Sequence, residues 1–176
     1  MNTFEALYSR RSIRSYNSEN LTENELKEIL KSAYAAPVGR ARYDTLALTV
    51  VCNKDVLAKW EEEAAKAFGN PGMHPFYGAP TVIVVSSVDP SEMSNVRYSN
   101  AAIIVQNMAI AAAELGVGAC HIWGAIPALC GSEELKKALS IPETMVPCCA
   151  LALGHTTEKY TPRQVENNRI VTNFVK

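Results

Sequence analysis

Asn100-Ala101-Ala102-Ile103-Ile104-Val105-Gln106-Asn107-Met108-Ala109-Ile110-Ala111-Ala112-Ala113-Glu114-Leu115, closed by Gly116, is the stretch on which the fold turns. It reads as a helix that is apolar nearly all round. A helix without a polar face has to be buried. In a chain of 176 residues a second subunit is a candidate for part of that cover. The stretch is not a membrane span. Its most apolar window, Ala101 to Ala113, has 13 residues and contains Gln106 and Asn107, whereas a span needs about 18 or more.

On either side lie strands. Thr81 to Val88 is continuously apolar, as a sheet covered on both faces requires. Val117 to Trp123 and Thr45 to Cys52 read as strands, and so does Val146 to Leu153, ended by Gly154. Helices fall between them. Asn2 with Glu5 opens a short one over Phe4 to Tyr8. Thr22-x-x-Glu25 is a second capping box, and Leu26, Ile29, Leu30, Ala33 and Tyr34 then share one face. Asp55 is expected to cap a helix through Phe68, and Ser132 to cap Glu133 to Leu139. Ile170 to Val175 reads as a strand-like tail that must add to a sheet edge. The alternation predicts a layered α+β or α/β domain with no linker.

Composition narrows the function classes. The chain carries 17 basic and 18 acidic side chains, 48% hydrophobic and 20% charged residues. That excludes a disordered chain and argues against gripping nucleic acid by bulk charge. No signal-like apolar run precedes the first arginines, so a soluble cytoplasmic protein is expected. The five cysteines form no C-x-x-C pair. They read as small apolar core thiols, not as a disulfide framework or a zinc site, and no metal is expected.

Four segments could carry chemistry. Arg10-Arg11-Ser12-Ile13-Arg14 puts three guanidinium groups and a hydroxyl within five residues, which suits a phosphate ester. The alternative is a solvated turn with carboxylate partners. Ala36-Pro37-Val38-Gly39-Arg40-Ala41-Arg42-Tyr43 follows a helix, and its glycine lets backbone approach a planar ligand. It reads equally as an ordinary helix stop. Leu115 to Gly124 is a helix stop, a strand and a turn. Its G-x-G is not a dinucleotide fingerprint, because it precedes a strand and lacks a third glycine. His121 is a possible proton donor or a half-buried strand histidine. Cys120 and His121 are strand neighbours on opposite faces, so they cannot pair as nucleophile and base. Trp123 is core or a ring-stacking wall. Last come Leu153-Gly154-His155 and Pro162-Arg163. No side-chain arrangement for hydrolysis is present, so a bound cofactor has to carry the difficult chemistry.

Taken in order, these pieces resemble the FMN-dependent nitroreductase family, in its compact branch. The resemblance rests on Arg10-Arg11-Ser12-x-Arg14, the Ala35-Ala36-Pro37 loop, the helix ending Glu114-Leu115-Gly116-Val117-Gly118, Ile122-Trp123-Gly124, Ile141-Pro142-Glu143, and Leu153-Gly154-His155 leading to Pro162-Arg163. It implies an α+β three-layer α/β/α sandwich with a mostly antiparallel sheet. It also implies an intertwined homodimer with FMN at the interface. The same resemblance implies that residues 1–176 form one FMN-binding domain whose tail, from about 160 to 176, extends onto the partner. Arg10, Arg11, Ser12 and Arg14 match the segment that holds the flavin phosphate and ribityl chain, and Arg163 matches a further phosphate contact. Pro37, Val38 and Gly39 match a loop against the flavin. Ile122, Trp123 and Gly124 match the turn facing its N5 and O4 edge.

One departure stands out: Ala41 occupies the position of the asparagine that reaches the flavin pyrimidine. Arg40 or Arg42 is the expected replacement, as a cation beside N1 and O2. The activity implied is a ping-pong transfer of hydride from NADH or NADPH, through flavin N5, to a small conjugated acceptor such as a nitroaromatic or quinone. No catalytic side chain is needed, and no nucleic-acid or membrane partner is expected. Acceptor choice is expected in the loops Gly69 to Pro80 and Ser91 to Tyr98. Two other readings are a non-catalytic FMN carrier or redox sensor, and an interaction domain whose Arg10–Arg14 turn docks an acidic partner.

Overall fold

A computed structural model describes residues 1–88 and 94–176. Four strands, β1 (Leu46–Val51), β2 (Thr81–Val88), β3 (Gly118–Ile122) and β4 (Met145–Gly154), form one sheet among the described residues. Its order is β1-β2-β4-β3, and every neighbouring pair is antiparallel. The central pair is buried on both faces by simple alternation. Val82, Val84, Ala150 and Ala152 point to one side. Ile83, Val85, Leu151 and Leu153 point to the other.

Helices cover both faces, giving three layers. On one side α2 (Glu23–Tyr34) and α4 (Ser94–Glu114) pack through Ile29, Ala33, Ile104, Val105 and Met108. On the other, α3 (Lys54–Ala67), α5 (Ile126–Gly131) and α6 (Glu133–Ala138) bring Leu57, Trp60, Leu129 and Leu135. Trp60 is fully buried; its indole N–H donates to the Ala125 carbonyl at 2.8 Å, and its ring meets Phe76 edge-on at 4.7 Å. The short helix α1 (Thr3–Ser9) lies against α4. Among the described residues, no helix is long and apolar enough to cross a membrane.

The capping boxes at Asn2–Glu5 and Thr22–Glu25 form as the spacing predicts. Several expectations are corrected. Asn53, not Asp55, caps α3, because its side chain reaches the amides of both Asp55 and Val56. Helix α4 is already formed at Ser94, about 1.7 turns before the expected start at Asn100. Helix α5 carries Pro127 in its first turn, where a missing N–H costs nothing, and the sequence reading passed over it. Of the cysteines, Cys120, Cys148 and Cys149 are buried, while Cys52 and Cys130 are exposed. Pro147 lies inside β4, at a register shift opposite Val85 and Ser86, where a residue without an N–H can be accommodated.

The tail does not join the sheet of its own chain. Residues 155–176 form no strand, and Ile170, Val171, Phe174 and Val175 are 81–99% exposed. The physical reason lies at the β3 edge, beside which the chain emerges from β4. That edge is already taken by the N-terminal connector, whose Ile13 N–H donates to the Ala119 carbonyl at 2.9 Å. The chain runs instead past the end of α1, where the Arg163 N–H donates to the Tyr8 carbonyl at 3.1 Å.

Glu25 joins α2 to the end of β4. Its carboxylate closes the Thr22 capping box and meets His155 Nε2 at 3.1 Å. Burial pushes this carboxyl up, but the Thr22 amide and hydroxyl and His155 outweigh it, so its pKa falls below the ordinary 4.5. A depressed carboxylate contributes stability that is full above the unfolded value and is lost as pH falls through the folded one. Glu25→Gln is therefore expected to lower the urea midpoint at pH 7 and to have little effect near pH 3. An equal loss at both would contradict the assignment. Trp60→Ala removes the largest buried side chain together with its hydrogen bond. It is expected to cost about 3–5 kcal/mol in urea unfolding followed by circular dichroism.

Candidate functional site

The arginine connector is fixed by one apolar plug. Ile13 is fully buried, and it lies directly over Gly118 at the start of β3. A Cβ built on Gly118 would stand 3.0 Å from Ile13 Cγ2 and 3.0 Å from the Gly154 carbonyl oxygen. Glycine is thus required there by close approach. The preceding Gly116 has φ +74° and ends α4 in the left-handed region. The two glycines of G-x-G have separate structural duties.

With Ile13 seated, Arg10, Arg11 and Ser12 are half-buried along the β3 edge. Arg163 arrives from the far end of the chain. Its guanidinium donates to the carbonyls of Tyr8 at 3.0 Å and Arg10 at 2.9 Å. Arg11 donates to the Lys159 carbonyl at 2.8 Å and touches the Glu158 carboxylate at 3.5 Å. Arg10 has no ion-pair partner among the described residues. Its charge is felt nearby: burial and the Arg10 guanidinium together hold His121 below the ordinary histidine value, against the pull of the Val105 backbone. Burial pushes Tyr160 up to about 12, against the pull of the Ala119 backbone and of Arg10 and Arg11. The structure therefore gathers Arg10, Arg11 and Arg163 into one cationic patch. Arg14 turns away from it, with its guanidinium 5.6 Å from the centroid of the Tyr77 ring.

The loop after α2 is held from three sides. The Gly39 N–H donates to Asn100 Oδ1 at 3.0 Å, the Tyr43 hydroxyl donates to the Ala36 carbonyl at 2.9 Å, and Val38 is buried. Pro37 and Gly39 stay exposed. Arg40 and Ala41 have φ of 56° and 54°, two successive non-glycine residues in the left-handed region. Each costs on the order of 1 kcal/mol or more, so tertiary contacts impose this shape. The two loop arginines differ in pairing. Arg42 is bidentate to Asp44 at 2.9 Å on both nitrogens. Arg40 is exposed and has no ion-pair partner among the described residues.

The third segment follows β3. Ile122 is buried, Trp123 is 68% exposed and Gly124 is half-buried. Trp123 is therefore not core. Cys120 is buried and His121 is exposed, on opposite faces as strand alternation requires. Among the described residues, no three His, Cys, Asp or Glu side chains cluster as a metal site would need. Of the two loops expected to set acceptor choice, residues 69–80 are described; of the second, residues 91–93 lie outside the described residues, and Ser94 to Tyr98 belong to helix α4 and not to a loop.

Sequence reasoning assigned no contact to Asn100, Tyr43 or Tyr77. Asn100 carried a signal, being an amide opening an apolar helix, which when buried needs a partner. Tyr43 and Tyr77 carried none, because their partners are distant in sequence or in the backbone.

Residues 7–155 match the model of the nitroreductase family. The chain belongs to the nitroreductase family. A Methanothermobacter thermautotrophicus protein named provisionally as an NADH dehydrogenase/NAD(P)H nitroreductase is 30% identical, over 90% of this chain and 79% of its own length. The FMN reductase (NADPH) of Bacillus subtilis is 28% identical, over 88% of this chain and 66% of its own. Among solved structures, a Desulfitobacterium hafniense nitroreductase with bound FMN superposes with a TM-score of 0.85. Its identity is 25%, over 99% of this chain and all of the other. Nitroreductase architecture thus accounts for the three layers and for the antiparallel sheet.

Arg163 is the only covalently distant member of the patch, and it clamps the tail to α1. Arg163→Ala is expected to release residues 156–176, seen as roughly tenfold faster chymotryptic cleavage in the tail with the core left intact. Unchanged cleavage would show that the two carbonyl contacts do not hold the segment.

Proposed function

We propose that this nitroreductase is an FMN-dependent oxidoreductase. It draws reducing equivalents from NADH or NADPH and passes them to a small conjugated acceptor, a nitroaromatic or quinone, in two separate half-reactions. We further infer that residues 1–176 form one domain that works as a homodimer, with the tail from about 160 lying on the partner. Five exposed large apolar side chains in that tail, Val165, Ile170, Val171, Phe174 and Val175, support this reading.

The observation that carries the cofactor reading is the uncompensated charge of Arg10 beside Arg11 and Arg163. A phosphate ester needs such donors, and of the three only Arg11 meets a carboxylate among the described residues, that of Glu158 at 3.5 Å. The residue types fit FMN. Arg10, Arg11, Ser12 and Arg163 would hold the phosphate end, with Arg14 at the margin of that set. Pro37, Val38 and Gly39 would lie along the ring, and the backbone of Ile122, Trp123 and Gly124 would face its reacting edge. When bound, FMN supplies the two-electron carrier that the chain's own side chains lack.

The protein's part is then placement and charge. The strained Arg40–Ala41 backbone presents a guanidinium without a carboxylate beside it. That makes Arg40, not the neutralised Arg42, the better cation for the pyrimidine edge, where negative charge arrives with the electrons. Trp123 offers a stacking face for nicotinamide or acceptor. No side chain has to move a proton for hydride to transfer.

Purified wild-type protein is expected to be yellow and to be bleached rapidly by NADH or NADPH. Arg10→Ala should weaken FMN retention by about 10–100-fold, the equivalent of one or two lost charge-assisted hydrogen bonds. Arg40→Ala should lower the flavin two-electron potential, and Arg42→Ala should leave it in place. A colourless wild-type protein that takes up no added FMN would refute the reading. A flavin that NADH and NADPH leave oxidised would point instead to a carrier.

A further inference from the structure

A cavity of about 610 Å³ lies where α3 meets the loop that follows it. Ala58, Ala65, Gly69, Pro71 and Met73 give it an apolar lining. The volume is in the range of small-molecule sites, roughly 300–1,000 Å³. Met73 also touches the turn after β3. A Cβ built on Gly124 would stand 3.0 Å from Met73 Cε and 4.0 Å from Phe68 Cε2. One side chain therefore borders both the cavity and the segment that ends in the exposed Trp123.

We propose that Met73 is a specificity-determining divider, and that the cavity behind it is a subsite for the second ring of a neutral bicyclic acceptor. This rests on the oxidoreductase reading, in which the Ile122–Gly124 turn borders the reacting edge. Three observations carry it. First, Met73 is the adaptable member of its segment, being unbranched and half-exposed. Its neighbours are fixed. Phe76 is buried beneath Trp60 and donates its N–H to Glu61 at 3.0 Å. Tyr77 is held in the left-handed region, with φ 55°, under the Arg14 guanidinium. Second, the Met73 methyl packs into the space left by the missing side chain of Gly124, where a Cβ would stand 3.0 Å from it. Third, the charge at the rim selects against anions. Glu61, Glu62, Lys66 and His74 line the cavity; Lys66 is taken up by Glu62 at 2.8 Å and Glu63 at 3.1 Å, and His74 Nδ1 faces the Glu61 carboxylate at 3.5 Å, so the two basic side chains of the rim already face carboxylates. A neutral fused-ring quinone suits such a site better than a carboxylated or sulfonated one.

The test compares 2-methyl-1,4-naphthoquinone with 1,4-benzoquinone as acceptors of the holoenzyme. Met73→Ala opens the divider, and its ratio of kcat/KM for naphthoquinone over benzoquinone is expected to rise about tenfold. Ala58→Leu fills the cavity from the exposed outer face of α3 without reaching the turn, and the same ratio is expected to fall about tenfold. Flavin content should match wild type in both. Equilibrium titration of tryptophan fluorescence with the naphthoquinone should show tighter binding in the first variant and weaker binding in the second. An unchanged size preference and unchanged binding in both variants, with flavin retained, would overturn the subsite. Absence of flavin from the wild-type chain would instead refute the oxidoreductase reading, and the fluorescence titration would still decide whether the cavity takes the ring.

Discussion

The seating of Ile13 over Gly118 is the contact on which the rest depends. A buried isoleucine can close on the start of β3 only because no side chain stands there. That closure occupies the β3 edge, sets the arginines in place along it, and sends the C-terminal chain past α1. The same short strand leads at its other end into Ile122, Trp123 and Gly124. One strand thus sets the separation between the cationic patch and the turn.

Electrostatics then sorts the arginines by their partners. Arg42 is spent on Asp44, Arg14 on Tyr77, and Arg163 on two carbonyls. Arg10 keeps its charge available. Equal residues in the sequence are therefore unequal in the site. A guanidinium beside a carboxylate contributes little field at a distance, whereas an uncompensated one attracts an anion and shifts its neighbours. His121, held below its ordinary value, sits within reach of that field, and so does Tyr160, which Arg10 draws down against the burial that raises it.

Helix α4 links the two halves of the site. Its apolar surface fills one layer, and Asn100, buried near its start, accepts the Gly39 N–H. Burying an amide is unfavourable unless it is paired, so the helix and the loop fix each other. The strained Arg40–Ala41 pair is tolerated because Asn100 and Tyr43 hold the backbone on both sides of it.

The sequence by itself determined the four strands, most of the helices and a layered arrangement of the two, but not α5 or the place of the tail. Capping boxes, one-faced helices and a continuously apolar strand are local patterns, and local physics reads them. It also located the arginine segment, the Gly39 loop and the turn after β3, through their order along the chain. Only the tertiary structure decided which arginine stays unpaired, that Trp123 is exposed, and that Met73 meets Gly124. Only it showed that the tail finds no edge in its own sheet. Each of these depends on contacts between residues far apart in the chain, and the identity of such partners is written in no local pattern.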